Sequence, residues 1–245
     1  MGHAIQERED EIDCCVALQR KLDAAAAEFD EFVALAAHNL RESLREIASF
    51  SQLMSENYAG RLDSDADVGL SRIQEGVANM QSLLTDMVGY ATVPSGRPSR
   101  TDMEGVLQQA LLLTDEQMAA RGATVTHDPL PAVMGDFETL SKVLHHLIRN
   151  AIEFCGKDPP HVYISCRTVD SECVFSVKDN GPGIEPAFQR RVFGVFKRLH
   201  GKQYPGNGLG LAFCKKAIEW HNGRIWMESK PGEGSTFYFA LPSAN

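Results

Sequence analysis

A carboxylate and two glycines follow one another where a predicted strand ends, in the segment from Val177 to Ile184. Such a turn can be purely structural. Its functional interpretation is an adenine pocket, in which Asp179 accepts a hydrogen bond from the amino group of the base. Gly181 and Gly183 would leave room for the purine because glycine has no side chain.

An amide side chain interrupts an otherwise apolar helical segment at Asn150. A buried amide needs a hydrogen-bond partner, so Asn150 can be a capping or satisfied core residue. The functional interpretation is an oxygen ligand for a hydrated Mg²⁺ ion that also contacts nucleotide phosphates.

Three glycines alternate with other residues at Gly206, Gly208 and Gly210, directly before a predicted helix. Backbone N–H groups at the start of a helix can bind phosphate groups. Because no strand precedes these glycines, the segment does not fit a dinucleotide-binding fingerprint. A further glycine pair, Gly232 and Gly234, precedes the last predicted strand.

A single histidine, His38, lies in a helical segment over residues 32–46. With Val33 and Leu40 at heptad position a and Ala36 at d, His38 falls at f and is predicted to point away from the helix contact. From spacing alone, a solvated surface histidine is the favoured interpretation.

Heptad-spaced apolar residues predict two long helices ahead of the other segments. The first covers about 50 residues and ends near Tyr58, and the second covers residues 66–91. A two-helix hairpin leaves much of its apolar surface exposed. We therefore expect the hairpin to dimerise into a four-helix bundle.

Helix-breaking residues at 94–99 predict a linker to a second domain. Its predicted helices and strands are helix 102–120, strand 124–127, helix 136–154, strands 162–168 and 173–179, helix 208–221, and strands 224–229 and 235–241. Because helices and strands mix without regular alternation, we expect an α+β fold with helices on one face of a mixed sheet.

The composition indicates a folded and acidic chain. Of its 245 residues 43% are hydrophobic, and 24 basic against 33 acidic residues give a net charge of −9. Without a basic cluster, binding to nucleic acid or to a membrane surface is excluded. No apolar run approaches the ~20 residues of a membrane span, and no signal peptide is recognisable, so we expect a cytoplasmic protein. Six cysteines without metal-ligand spacing predict reduced thiols.

In this order and spacing, the segments resemble the transmitter core of two-component sensor histidine kinases, most closely the phytochrome-type kinases. The resemblance makes His38 the phosphoacceptor and Asn150 the Mg²⁺ ligand. It places Asp179, Gly181 and Gly183 at the adenine. The remaining positions that it assigns to nucleotide binding are Phe193, Phe196, Lys197, Arg198, Gly206, Gly208, Gly210, Leu211 and Thr236.

The resemblance implies an all-α helical hairpin, as a dimeric four-helix bundle, followed by an α+β sandwich of the histidine kinase/Hsp90-like ATPase type. The implied reaction moves the γ-phosphoryl group of ATP to His38 and then to an aspartate of a response-regulator receiver domain. An upstream sensor domain or sensor partner would supply the input. The implied domains are a coiled-coil signalling helix (1–37), a dimerisation and phosphotransfer hairpin (38–93), a linker (94–99) and a catalytic ATP-binding domain (100–245).

Several residues depart from the family pattern. Asn39 stands where an acid normally assists the phosphoacceptor, so autokinase activity is expected to be reduced. Glu42 lies one turn after His38 on the same face and could replace that acid electrostatically, although a solvated glutamate is the simpler interpretation. His146 replaces an asparagine, and Glu153 stands where a phosphate-contacting lysine is common.

Two alternatives remain. The first is a degenerate kinase that binds nucleotide and acts as a phosphotransfer or scaffold module with weak or no autokinase activity, which Asn39 and Glu153 favour. The second is a topoisomerase-like or chaperone-like ATPase on the same fold. The N-terminal hairpin disfavours the second alternative, as does the position of Glu153 after Asn150.

Overall fold

The structure, a computed structural model, describes residues 2–58, 61, 63–92, 98–156, 158–197 and 207–244. It divides into two compact units, residues 1–92 and 93–245. The first unit is helical and the second combines helices with a mixed sheet. This arrangement confirms the predicted fold class.

Two helices, α1 (Gly2–Tyr58) and α2 (Ser64–Ala91), make up the first unit. The 57 residues of α1 span about 85 Å at ~1.5 Å per residue. Asp63 caps α2, because its carboxylate accepts a hydrogen bond from the backbone N–H of Ala66 at 2.8 Å. Both helices fall close to the segments that the heptad pattern predicts.

The contact between α1 and α2 uses a different stripe of α1 from the predicted one. Ala37 and Leu44 of α1 pack against Val77 and Leu84 of α2. Leu40, which the heptad pattern places in the core of a dimeric bundle, is 53% exposed on the single hairpin, so its place in that core stays a prediction. In a four-helix bundle each helix has two neighbours, so a helix suited to such a bundle carries two adjacent apolar stripes, of which a single hairpin covers one.

The second stripe, here called the outer stripe, consists of large apolar side chains that stay exposed on the hairpin. They are Phe29, Leu40, Ile47, Phe50, Met54, Ile73 and Met80. Phe50 is the most exposed of these, at 68%. Exposed large apolar side chains in this number indicate an interaction site.

A five-stranded sheet organises the second unit, in the order β2-β4-β5-β7-β6. Only the β2–β4 pair is parallel. A separate antiparallel pair, β1–β3, was not predicted from the sequence. The strands are β1 (Ser99–Asp102), β2 (Thr124–His127), β3 (Ala132–Gly135), β4 (His161–Val169), β5 (Glu172–Asp179), β6 (Arg224–Lys230) and β7 (Gly234–Pro242).

The helices of this unit are α3 (Met103–Leu112), α4 (Asp115–Arg121), α5 (Phe137–Glu153), α6 (Pro186–Gln189) and α7 (Gly210–Trp220). The prediction of one helix over 102–120 is wrong, because α3 ends before Thr114. The Thr114 hydroxyl donates to the Ala110 carbonyl at 2.6 Å, and a side chain that binds its own backbone in this way competes with helix continuation.

Helix α5 forms the centre of the unit. Asp136 caps it by accepting a hydrogen bond from the Thr139 N–H at 2.8 Å. Its apolar residues recur at helical spacing and are fully buried: Leu140, Val143, Leu144, Leu147 and Ile148. His221, just beyond α7, accepts a hydrogen bond from the Asp136 N–H at 2.9 Å and so ties the end of α7 to the start of α5.

Helices of the described residues include none that is both long enough and apolar enough to cross a membrane.

Candidate functional site

Asp179 is the last residue of β5, and its carboxylate is held by two backbone donors. Its Oδ1 accepts hydrogen bonds from the N–H groups of Gly181 at 2.8 Å and Ser235 at 2.9 Å. Burial raises the pKa of the Asp179 carboxyl above its ordinary value, while these two N–H donors act in the opposite direction. With Oδ1 fixed in this way, Oδ2 is the oxygen left to accept a hydrogen bond from a ligand.

The glycines after Asp179 allow a close approach between protein segments. A Cβ on Gly183, whose φ is +75°, would overlap the carbonyl of Lys230 at the end of β6. A Cβ on Gly181 would lie 2.9 Å from Asp179 Oδ1 and 3.5 Å from the Phe154 carbonyl. These glycines therefore bring the β5 loop against the end of α5 and the β6–β7 turn.

Two polar residues that the sequence analysis missed hold this loop. Asn180 accepts a hydrogen bond from the His161 N–H at 2.8 Å and donates one to the Pro159 carbonyl at 3.0 Å. The hydroxyl of Ser229 accepts from the Ile184 N–H at 2.7 Å. Each bond links the loop to a neighbouring strand or its connection, so the site is fixed by the fold.

One face of α5 is only partly buried and carries polar residues at helical spacing: His146, Arg149, Asn150 and Glu153. The Arg149 Nε atom lies 3.6 Å from Glu153 Oε1, in an ion pair whose side chains are 18% and 19% exposed. Burial, followed by the positive charge of Arg149, lowers the pKa of His146 to about 3. His146 is therefore neutral near pH 7.

The start of α7 lies directly against this face. A Cβ on Gly210 would be 3.1 Å from His146 Nδ1 and 3.5 Å from Arg149 Nη2, so only a glycine fits there without displacement. Gly208 has a φ of +70° and packs against the backbone of Phe196 and Lys197. The N-cap residue of α7, Leu209, makes no capping hydrogen bond with its side chain.

Several of the predicted nucleotide-binding residues on described segments lie around one region of the second unit, here called the cleft. Asn150 lies one turn before Phe154, whose carbonyl faces Gly181, so the α5 face and the Asp179 loop are neighbours. Gly208, Gly210 and the half-buried Leu211 open the other side. Arg198 and Gly206 lie outside the described residues.

The two aromatic residues of the predicted set differ in their surroundings. Phe193 is half-buried, and its ring lies edge-on to Phe237 at 6.3 Å. Phe196 is 56% exposed with a φ of +57°, and Lys197 beside it is exposed. Among the described contacts, none joins these residues to Asp179.

Thr236 is not brought to the cleft. It pairs with Lys178 in the β5–β7 register, so its side chain lies on the opposite face of the sheet from Asp179. Ser235, one residue earlier, supplies the backbone donor to Asp179. We therefore correct the prediction for Thr236 in favour of Ser235. Strand residues alternate between the two faces of a sheet, but which residues face Asp179 follows only from the register of β7 with β5.

His38 is exposed on α1, as its heptad position predicts, and so are Asn39 and Glu42. Helix α1 continues without a break through this segment, and the Ser43 hydroxyl donates to the Asn39 carbonyl at 3.3 Å within it. The imidazole is accessible to a reactant in solution or to another domain.

A magnesium ion bound with nucleotide fits the residues of the α5 face. Among the described residues, no group of three or more His, Cys, Asp or Glu side chains could hold a metal by itself. Mg²⁺ usually keeps several waters and needs few protein oxygens when phosphates supply the rest, so the amide oxygen of Asn150 suffices.

Comparison with known proteins places the second unit in a family. Residues 135–245 match the family described as "Histidine kinase-, DNA gyrase B-, and HSP90-like ATPase". The chain is 42% identical over 228 residues to cyanobacterial phytochrome A of Nostoc sp., covering 92% of the chain and 30% of that protein. It is 40% identical over 231 residues to phytochrome-like protein Cph1 of Synechocystis sp., covering 93% and 31%. The chain thus spans less than a third of the length of these relatives.

Solved structures with the same fold include that of full-length ShkA in complex with AMPPNP. It matches with a TM-score of 0.67 at 24% identity, covering 86% of this chain and 45% of that one. The crystal structure of histidine kinase ThkA in complex with response regulator protein TrrA matches with a TM-score of 0.60 at 18% identity, covering 89% and 64%. At these identities the similarity concerns the fold.

Proposed function

Because the chain belongs to the sensor histidine kinases, we propose that it is an ATP-dependent autokinase. It contains the transmitter core of that family, related to the core of phytochrome-type kinases. The γ-phosphoryl group of ATP is transferred to His38 and then to an aspartate of a response-regulator receiver domain. Because the reaction consumes ATP, we place it in the cytoplasm. Residues 1–37 would form the segment that transmits the input, and residues 100–245 would bind the nucleotide.

The observation that carries the proposal is the Asp179 carboxylate, buried and fixed by two backbone N–H groups on one oxygen. Its other oxygen can accept a hydrogen bond from the adenine amino group. The N–H groups at the start of α7 face the phosphates. A magnesium ion held by Asn150 would neutralise charge on the phosphates, which is the main requirement of phosphoryl transfer.

His38 would act as the nucleophile. One imidazole nitrogen forms a bond to the γ-phosphorus while the bond to the bridging oxygen breaks, and ADP leaves with the electron pair. The other imidazole nitrogen loses its proton. Asn39 can hold the imidazole tautomer by a hydrogen bond but cannot accept that proton, and a carboxylate at this place could.

Asn39→Asp is therefore expected to raise the autophosphorylation rate. General acid–base assistance contributes about 10²–10⁴-fold in enzymes, and we expect an increase of at least about tenfold at pH 7.5. The measurement is the initial rate of acid-labile phosphoryl incorporation at saturating Mg-ATP. Asn57→Asp, which adds the same charge at another exposed position of α1, is the matched control and should leave the rate unchanged. Equal rates for Asn39→Asp and wild type would contradict this prediction, because they would show that the wild-type chain already has a group that accepts the proton.

The outer stripe of the hairpin is proposed to be the contact with a second copy of the chain. Two hairpins that share their outer stripes give a four-helix bundle and remove this apolar surface from water. The hydrophobic effect at ~25 cal/mol per Å² makes this a large stabilising term.

Phe50→Asp is expected to turn the dimer into a monomer, because it places a charge at the most exposed position of the outer stripe. The molar mass is measured by light scattering after size exclusion over a range of protein concentrations. Asn79→Asp, also exposed on the hairpin but outside the outer stripe, should remain a dimer. A monomeric wild-type chain would contradict the dimer.

A receiver domain is the proposed protein partner because the related histidine kinase ThkA has been crystallised with response regulator TrrA. The competing proposal is a nucleotide-binding scaffold with little autokinase activity, which Asn39 favours. The two differ in one result: a scaffold binds ATP but stays unlabelled even as the Asn39→Asp variant.

A further inference from the structure

Two buried polar atoms in the described residues have no hydrogen-bond partner, and both lie on the polar face of α5. They are His146 Nδ1 and Arg149 Nε. A buried donor or acceptor without a partner destabilises the fold, so such atoms are rare unless a ligand completes them. Arg149 Nε faces Glu153 Oε1 in an ion pair at 3.6 Å, just beyond hydrogen-bond distance, so His146 Nδ1 is the atom that a ligand would complete.

Both side chains converge on the first turn of α7. His146 Nδ1 and Arg149 Nη2 are the nearest side-chain atoms around the Cβ position of Gly210, at 3.1 and 3.5 Å. The first backbone hydrogen bond of α7 runs from the Phe213 N–H to the Leu209 carbonyl, so the N–H groups of the preceding turn have no acceptor within the helix. Three kinds of donor therefore face one place: a helix N-terminus, an imidazole and a guanidinium.

Charge at this place decides which ligand fits. Glu153 alone would repel an anion, but its carboxylate is paired with Arg149 through Nε at 3.6 Å. Nη2 of the same guanidinium lies 3.5 Å from the Cβ position of Gly210, whereas Nε is the nitrogen nearest that carboxylate. The guanidinium of Arg149 therefore lies towards α7, while the negative charge of Glu153 at the end of α5 is balanced by the ion pair.

We propose that Arg149 binds the phosphates of the nucleotide at the start of α7, with Glu153 orienting its guanidinium and His146 donating from Nδ1. The proposal rests on the proposed function and adds to it. The family pattern has a phosphate-contacting lysine at the position of Glu153, and here Arg149 supplies the positive charge instead. Burial and the neighbouring Arg149 keep His146 uncharged near pH 7, so it contributes a hydrogen bond and no charge.

The proposal is tested by how strongly each variant discriminates ATP from adenosine. Binding of ATP, ADP and adenosine to the full chain is measured by calorimetry in the presence of Mg²⁺. Arg149→Met keeps the length of the side chain and removes its charge. We expect it to weaken ATP about tenfold to fiftyfold and to leave adenosine unchanged, since charge-assisted contacts to phosphate are lost and adenine contacts are not. Arg167→Met, on the exposed face of β4, is the control and should bind both ligands like the wild type.

A second variant separates phosphate binding from a structural role. Arg149→Met combined with Glu153→Lys puts a cation back on the same face one turn later. The ratio of ATP affinity to adenosine affinity in this double variant should return to at least a fifth of its wild-type value. Unchanged ATP affinity in Arg149→Met, an equal loss for ATP and adenosine, or no recovery in the double variant overturns the proposal. If the wild-type chain binds neither ATP nor adenosine, the proposed function fails together with this proposal. That outcome is distinguishable from the others, in which the wild-type chain binds ATP.

Discussion

His38→Gln is expected to abolish acid-labile phosphorylation of the chain while leaving ATP affinity unchanged. Glutamine is polar and fits an exposed helix position, but its amide nitrogen is not a nucleophile. Every residue proposed to bind the nucleotide lies in the second unit, so nucleotide binding should not respond. The measurement is incorporation from γ-labelled ATP with Mg²⁺, followed by acid treatment, with nucleotide affinity determined in parallel.

His161→Gln provides the matched control for this substitution, because its imidazole is exposed and lies in the second unit. It should be labelled like the wild type. The Asn39→Asp background serves where the wild-type rate is low, and there His38→Gln should again remove all label. Label that persists in His38→Gln would show that another residue is the acceptor.

Asp179→Asn is expected to weaken ATP binding by about tenfold to a hundredfold. The amide oxygen takes the place of Oδ1, since two backbone N–H groups point at that position at 2.8 and 2.9 Å. The amide nitrogen then occupies the position of Oδ2 and presents a donor to the donating adenine amino group. Loss of a hydrogen bond to a charged group costs ~1.5–3 kcal/mol, which corresponds to the expected change in Kd.

The unliganded Asp179→Asn variant should not be less stable than the wild type at pH 7. Because burial raises the pKa of Asp179 in the folded chain, its carboxyl stabilises the fold at low pH and loses that contribution as the pH rises through the folded-state pKa. Asparagine stays neutral and avoids this loss. Thermal unfolding without nucleotide checks the point, with the exposed Asp170→Asn as control. Wild-type ATP affinity in Asp179→Asn would refute the adenine contact.

Local patterns in the sequence were sufficient for α5. Its predicted range, 136–154, differs from the observed Phe137–Glu153 by the capping Asp136 and one terminal residue. The cap and the helical spacing of apolar residues are both contained in that segment. Asp179 and its glycines were found for the same reason, because the strand end and the turn residues are adjacent in the chain.

Features that depend on distant partners could not be predicted in this way. The choice of Ser235 over Thr236 depends on the register of β7 with β5. The convergence of His146 and Arg149 on Gly210 depends on how α7 packs against α5. The heptad pattern places Leu40 in an apolar stripe facing a bundle core, but it does not show which neighbour covers that stripe, and on the single hairpin Leu40 is exposed.

The central claim is that nucleotide bound in the second unit phosphorylates His38, and locating the phosphoryl group tests it most directly. Wild type and Asn39→Asp are incubated with γ-labelled ATP and Mg²⁺, digested at alkaline pH to preserve phosphohistidine, and mapped by mass spectrometry. We expect the phosphoryl group on His38 in both, formed faster in Asn39→Asp, with one ADP released for each histidine modified. A phosphoryl group on any other residue, or none in either protein while ATP binds, would contradict it.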